Sequence, residues 1–178
     1  MMTHNAMTID RMATMLFDSS ARGNTEELYA DKNELVQCNE VARDCLKYTL
    51  KHYPNLPLYF GTDLPDDFCI HTNLHYLKAS IRELLYNASR YSDGKFVLLR
   101  VSEKGSMVRY IVEDTGPGIA EEDCKHLMES FTKVNELSEG LGLGLPLTNR
   151  HITNLGGNLI FDTSYKAGCR FIIELPKR

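Results

Sequence analysis

Asp114 stands in Ile-Val-Glu-Asp-Thr-Gly-Pro-Gly-Ile, residues 111–119, behind an apolar run and ahead of two glycines. Two chemistries suit it. The carboxylate of an Asp-Thr-Gly can activate water in an aspartic protease, but that requires two aspartates sharing a proton. One such tripeptide is present, so a protease would have to be a homodimer. Alternatively, Gly116 and Gly118, with Pro117 stiffening the loop between them, let a flat ligand approach the backbone. Beside such a loop a buried carboxylate accepts a hydrogen bond from an exocyclic amine.

Further candidates flank it. Glu83, Asn87 and Arg90 are spaced four and three apart and project from one side of a predicted helix, roughly opposite its Leu and Ile stripe. They could hold a Mg²⁺ and a phosphate chain, because Mg²⁺ takes few protein ligands and otherwise binds water and phosphate oxygens. A solvated charged edge is the plain alternative. Glu-Gly-Leu-Gly-Leu-Gly-Leu-Pro-Leu places Gly140, Gly142 and Gly144 directly before a predicted helix with Pro146 in its first turn. Backbone amides there can meet phosphate oxygens. The run lacks the Lys-Ser/Thr ending of a Walker loop, and no strand precedes it as a dinucleotide fingerprint requires. Between the glycine segments, Phe131 is a candidate hydrophobic anchor and Lys133 a candidate phosphate contact in a loop able to act as a lid. Cys69, His71 and His75 do not converge on a metal in the predicted elements. No Gly-x-Ser-x-Gly supports a serine hydrolase.

The elements that must position these residues follow from periodicity. Ile9, Met12, Met15 and Leu16 form one stripe of a helix from Thr8 to Ala21, stopped at Arg22-Gly23. A second helix is predicted over about Asn33–Lys51, then strands at Leu58–Phe60 and Phe68–Ile70. The third helix begins near Thr72-Asn73, either of which can cap it, and carries Leu74, Leu77, Ile81, Leu84, Leu85 and Ala88 on one face. Lys95–Glu103 and Met107–Asp114 read as a hairpin turning at Lys104-Gly105. A short helix is predicted over about Ala120–Ser130 and another over Leu145–Leu155, ended by Gly156-Gly157. Residues 158–164 and 169–176 make a closing hairpin. Helices and hairpins without a strict strand-helix rhythm imply an α+β sandwich, with helices on one face of a mixed sheet.

The composition bounds the class. At 178 residues and 43% hydrophobic, the chain can form one main domain with a small appendage. A net charge of −4 provides no broad basic field, which excludes nucleic acid as a partner by electrostatics and leaves phosphate to be met locally. Five scattered cysteines without a Cys-x-x-Cys pair suit reduced thiols in the cytoplasm. No apolar run reaches membrane-span length, and the start does not resemble a signal peptide, although the chain could be the inner end of a membrane-bound parent.

The order Glu-Leu-Leu-Tyr-Asn-Ala-Ser-Arg-Tyr-Ser, Asp-Thr-Gly-Pro-Gly-Ile, Phe-Thr-Lys, Gly-Leu-Gly-Leu-Gly-Leu and a final Phe-Ile-Ile-Glu-Leu-Pro is more specific than its parts. Over about residues 35–178 it resembles the catalytic ATP-binding domain of bacterial sensor histidine kinases, in the superfamily shared with gyrase, the Hsp90 chaperones and MutL. The resemblance implies the Bergerat ATP-binding fold, a two-layer sandwich of a mixed, mostly antiparallel sheet and three helices. It implies ATP and Mg²⁺ as ligands. Asn87 would then be the Mg²⁺ ligand and Glu83 the acid that can act as general base. Arg90 would touch phosphate and Tyr91 lie against the nucleotide. Asp114 would bond the adenine amine, with Gly116, Gly118 and Ile119 forming its loop. The stretch Gly140, Leu141, Gly142, Leu143, Gly144 and Leu145 would line the phosphates, and Phe131 and Lys133 would end the phenylalanine box.

Two departures stand out. Met128 replaces the first phenylalanine of that box and Lys133 its arginine. No histidine lies in anything like His-Glu-x-Arg-Thr-Pro, the phosphoacceptor sequence of such kinases. Residues 1–32 are accordingly expected to be a helical stub of a dimerisation domain, and 33–178 the catalytic domain. The implied activity is phosphoryl transfer from ATP to a histidine on the missing domain of a homodimeric parent, and onward to a response regulator. Two other readings are an anti-sigma-factor type serine kinase, against which the first helix argues, and a nucleotide-binding module without turnover.

Overall fold

The computed structural model describes residues 33–91, 95–116 and 144–177. Five strands form the main sheet in the order β2-β4-β5-β7-β6, where β2 is Leu58–Thr62, β4 Val97–Lys104, β5 Met107–Asp114, β6 Asn158–Phe161 and β7 Arg170–Pro176. β2 runs parallel to β4, and every other pairing in the sheet is antiparallel. A separate two-stranded ribbon joins β1 (Asn33–Gln37) to β3 (Cys69–Asn73). Three helices, α1 (Cys38–His52), α2 (Leu74–Tyr91) and α3 (Gly144–Asn154), cover one face of the sheet. The α+β sandwich expected from the sequence is the fold observed.

Alternation along the strands builds the covered face. Val97, Leu99 and Val101 on β4, Val108, Tyr110 and Val112 on β5, and Phe171, Ile173 and Leu175 on β7 are all buried. Against them lie Leu77, Ile81, Leu84, Leu85 and Ala88 of α2, the stripe predicted from spacing. Each such side chain contributes roughly 1.5–3 kcal/mol on leaving water. The Tyr110 hydroxyl donates to the Cys38 carbonyl at 2.9 Å, which fastens the sheet to the start of α1.

The helix predicted from Asn33 begins instead at Cys38, and residues 33–37 are strand. Here β3 supplies the backbone partners, with Val36 opposite Ile70 and both buried while Leu35 points outward. Local spacing cannot show a partner that lies about thirty residues away. Of the two proposed caps for α2, Asn73 serves: its Oδ1 accepts the Tyr76 N–H at 3.2 Å, while Thr72 belongs to β3. Helix α3 ends where predicted, at Gly156 with φ of +80°, whose N–H bonds the Thr153 carbonyl while the Gly157 N–H bonds that of Ile152. The helices expected at Thr8–Ala21 and Ala120–Ser130 lie outside the described residues.

α2 and α3 run antiparallel, and the Tyr76 and His151 rings meet with centroids 4.6 Å apart. Burial pushes the His151 imidazole down from 6.5 to about 4, with the positive charges of His75 and Arg150 acting in the same direction. Between those values the unfolded chain takes a proton that the folded chain refuses, so stability is lost as pH falls from about 6.5 towards 4. Urea melts at stepped pH should show on the order of 2–3 kcal/mol lost across that window. His151→Gln should flatten the slope, and an unaltered slope would remove His151 as its cause.

Candidate functional site

The start of α2 meets the end of α3 at one end of the sandwich, where the Tyr76 and His151 rings touch. Glu83 lies seven residues further along α2, and Gly144, which opens α3, lies seven residues before His151. Strand β5 begins at that same end. Its first residue, Met107, pairs with Pro176, which lines a cavity of about 410 Å³ together with Tyr76, Asn154 and Gly156. Asp114 is at the other end of β5 from that cavity.

The pair on α2 is not a solvated edge. Glu83 and Asn87 are 4% and 2% exposed, and the Asn87 Nδ2 donates to Glu83 Oε2 at 3.2 Å. Burying a carboxylate and a carboxamide costs several kcal/mol unless both are partnered, so their retention in the interior marks a polar site. The bond commits the nitrogen end of the carboxamide. Its other end is an oxygen, the donor that Mg²⁺ takes, so this pair fits a magnesium-phosphate ligand.

Asp114 is 1% exposed and held from several sides. Its N–H donates to the Cys169 carbonyl at 2.9 Å, and its Oδ1 accepts the Gly116 N–H at 2.9 Å and the Cys169 N–H at 3.4 Å. These bonds leave Oδ2 as the oxygen for a ligand. Burial pushes the carboxyl above the usual carboxylate range, and the two backbone N–H groups pull it partly back. A carboxylate so fixed can accept a hydrogen bond from a ligand amine. Among the described residues no second aspartate bonds the Asp114 carboxyl, whose Oδ1 is held by backbone N–H groups.

Of the other sequence candidates, Gly144 opens α3 and Leu145 is fully buried behind it. Arg90 and Tyr91 lie in the last turn of α2. Gly118, Ile119, Phe131, Lys133, Gly140, Leu141, Gly142 and Leu143 fall outside the described residues. Sequence reasoning missed Tyr165 and Gly168, which meet Asp114 from the turn before β7, and Arg170, the first residue of β7, which braces Tyr165. The Tyr165 hydroxyl donates to the Asp114 carbonyl at 3.0 Å, and the Arg170 guanidinium sits 4.1 Å above the Tyr165 ring. The turn at Lys166-Ala167-Gly168 was legible, but not that β7 pairs with β5.

The fold and the buried Glu83, Asn87 and Asp114 define the class of ATP-binding α+β sandwiches. The family model of histidine kinase-, DNA gyrase B-, and HSP90-like ATPases matches residues 73–178, and the chain belongs to that family. Among curated relatives it is similar to the sensor protein RstB of Escherichia coli (strain K12), 31% identical over 69% of this chain and 33% of RstB. It is also similar to the adaptive-response sensory kinase SasA of Nostoc sp. (strain PCC 7120), 28% identical over 96% of this chain and 43% of SasA. The chain thus spans less than half the length of either relative. Among solved structures, the catalytic domain of histidine kinase ThkA matches with a TM-score of 0.68 at 24% identity, over 82% of this chain and 96% of that one. Acinetobacter baumannii histidine kinase AdeS matches with a TM-score of 0.71 at 20% identity, over 97% and 80%. The structural matches establish the fold. The family model places the chain among the histidine kinase-, DNA gyrase B-, and HSP90-like ATPases, and the curated relatives it is similar to are sensor kinases.

Proposed function

We propose that the chain binds Mg²⁺-ATP between α2, the end of β5 and the start of α3, and passes the γ-phosphoryl group to a histidine on a separate dimerisation domain. The observation that carries this is the buried, hydrogen-bonded Glu83–Asn87 pair on α2; the chain also buries the Asp114 carboxyl at the end of β5. In this reading Asp114 Oδ2 accepts the adenine amine beside Gly116, Gly118 and Ile119. Asn87 ligates Mg²⁺, which neutralises charge on the phosphates when bound. Arg90, Lys133 and the backbone from Gly140 through Leu145 receive phosphate oxygens, while Tyr91 and Phe131 wall the nucleotide. The acceptor imidazole nitrogen bonds to the γ-phosphorus as the bond to the ADP oxygen breaks, and Glu83 takes the imidazole proton. Rate comes from positioning and charge stabilisation.

The rest of the assembly follows from the same reading. Residues 1–32 belong to the end of the dimerisation domain of a homodimeric parent, residues 33–178 are the catalytic domain, and a cytoplasmic response regulator receives the phosphoryl group. No helix among the described residues is long and apolar enough to cross a membrane.

Calorimetry with Mg²⁺-ATP tests the site. The chain should bind in the micromolar range or more weakly. Asp114→Asn keeps Oδ1 for its two backbone donors and turns an N–H₂ towards the adenine amine, setting donor against donor. Affinity should fall tenfold or more, about 1.4 kcal/mol, and equal affinity would strip Asp114 of its role.

A further inference from the structure

We infer that Tyr165 is a positioning residue for base recognition: its hydroxyl takes over the Asp114 carbonyl and so frees the Cys169 N–H to orient the Asp114 carboxylate. The inference rests on the proposed reading of Asp114 as the group that reads the adenine amine.

The observation is a diverted ladder. In an antiparallel pair of the hydrogen-bonded kind, two opposed residues exchange both N–H···O bonds. The pairing of β5 with β7 reaches Glu113 and Arg170, and one step beyond it Asp114 N–H still donates to the Cys169 carbonyl at 2.9 Å. The return is different. Cys169 N–H turns to the side-chain Oδ1 of Asp114 at 3.4 Å, and the Asp114 carbonyl accepts the Tyr165 hydroxyl at 3.0 Å. A side chain 51 residues away thus supplies the donor that the neighbouring strand would ordinarily give. The carboxylate gains a second backbone donor at Oδ1, which restrains its plane.

Tyr165 is itself held. Arg170 lies over its ring at 4.1 Å, and that guanidinium is anchored by Glu113 at 2.7 Å and Asp162 at 3.2 Å. The Tyr165 N–H also bonds the Asp162 carbonyl at 3.3 Å. The ring therefore cannot swing away without losing its contact with an anchored guanidinium, and its phenol, raised further by burial, is a donor at neutral pH. Without the hydroxyl, the Asp114 carbonyl would draw the Cys169 N–H back into the ladder, and the carboxylate would lose a constraint at the oxygen opposite the one facing the base.

The test uses two nucleotides, ATP and purine riboside triphosphate, which lacks the exocyclic amine. Both are titrated with Mg²⁺ into the full chain, Tyr165→Phe, Arg170→Gln and the double variant, with Tm recorded for each. The unchanged chain should prefer ATP. Tyr165→Phe should lose three- to tenfold in ATP affinity and less than twofold for the analogue, at a Tm within a few degrees of the parent. Arg170→Gln should cause the same ATP-selective loss, and the double variant should be no worse than the larger single one. Equal losses on both nucleotides, or none on ATP, would overturn the positioning role. If the unchanged chain binds the two nucleotides equally, the reading of Asp114 fails first and the inference falls with it.

Discussion

Gly168→Ala should lower the Tm by roughly 5–10 °C and weaken ATP binding by more than tenfold. A Cβ at residue 168 would stand 2.7 Å from both the Asp114 carbonyl carbon and its Oδ1, and closer still to the carbonyl oxygen. Two of these atoms are backbone at the end of a strand held on both sides, by Val97 of β4 and by Cys169, so neither can rotate aside. Relief must come from moving the turn before β7 away from β5, at a cost on the order of 2–3 kcal/mol. That movement breaks the contacts from Tyr165 and Cys169 that hold Asp114, so stability and binding should fall together. Gly61→Ala is the control, because its Cβ would meet only the Arg100 Cγ at an ordinary 3.5 Å. Thermal melts and calorimetry on both variants decide the matter: a Gly168→Ala chain that melts and binds like the parent would mean that β5 and β7 do not approach so closely.

The same crowding shows where sequence reasoning ends. The stripe on α2, the β4–β5 hairpin and the glycine stop of α3 depend on contacts within a turn or two, and their periodicity is visible in the chain. Asp114 was legible as a site residue because glycines and an apolar run flank it. The group that steers it was not: Tyr165 lies 51 residues away and acts through a pairing of β5 with β7 that neither strand specifies alone. Residues 33–37 were misread for a related reason, since a strand's backbone partners are chosen by the fold and not by its own side chains. Glu83 and Asn87 were found by helical spacing, but spacing alone left a solvated edge as the alternative. Their burial removes the solvated edge.

Asn87→Ala and Glu83→Gln should separate binding from chemistry. In the proposed site the Asn87 carbonyl is a Mg²⁺ ligand, so its loss should weaken ATP binding by ten- to a hundredfold in the presence of Mg²⁺. In excess chelator the variant and parent should bind ATP alike, because the metal-bridged contact is absent from both. Stability should fall by roughly 1–3 kcal/mol, because the buried Glu83 Oε2 loses the donor at Nδ2. Glu83→Gln is nearly isosteric and can still lie against Asn87, so nucleotide affinity should hold within about threefold. It lacks the basic oxygen, however, and transfer to the histidine of a supplied dimerisation domain should slow by about 10²–10⁴-fold. The pH profile adds a second check: loss of a base removes the acid limb of the rate, whereas a distorted site lowers the whole curve. Transfer at the parental rate by Glu83→Gln would remove the base role while leaving the metal role of Asn87 standing. Asn87→Ala binding that is as strong with Mg²⁺ as the parent's would remove the metal role instead. A buried carboxylate and carboxamide four residues apart on one helix can hold a metal-bound phosphate and accept a proton, and these two substitutions assign each task to its own side chain.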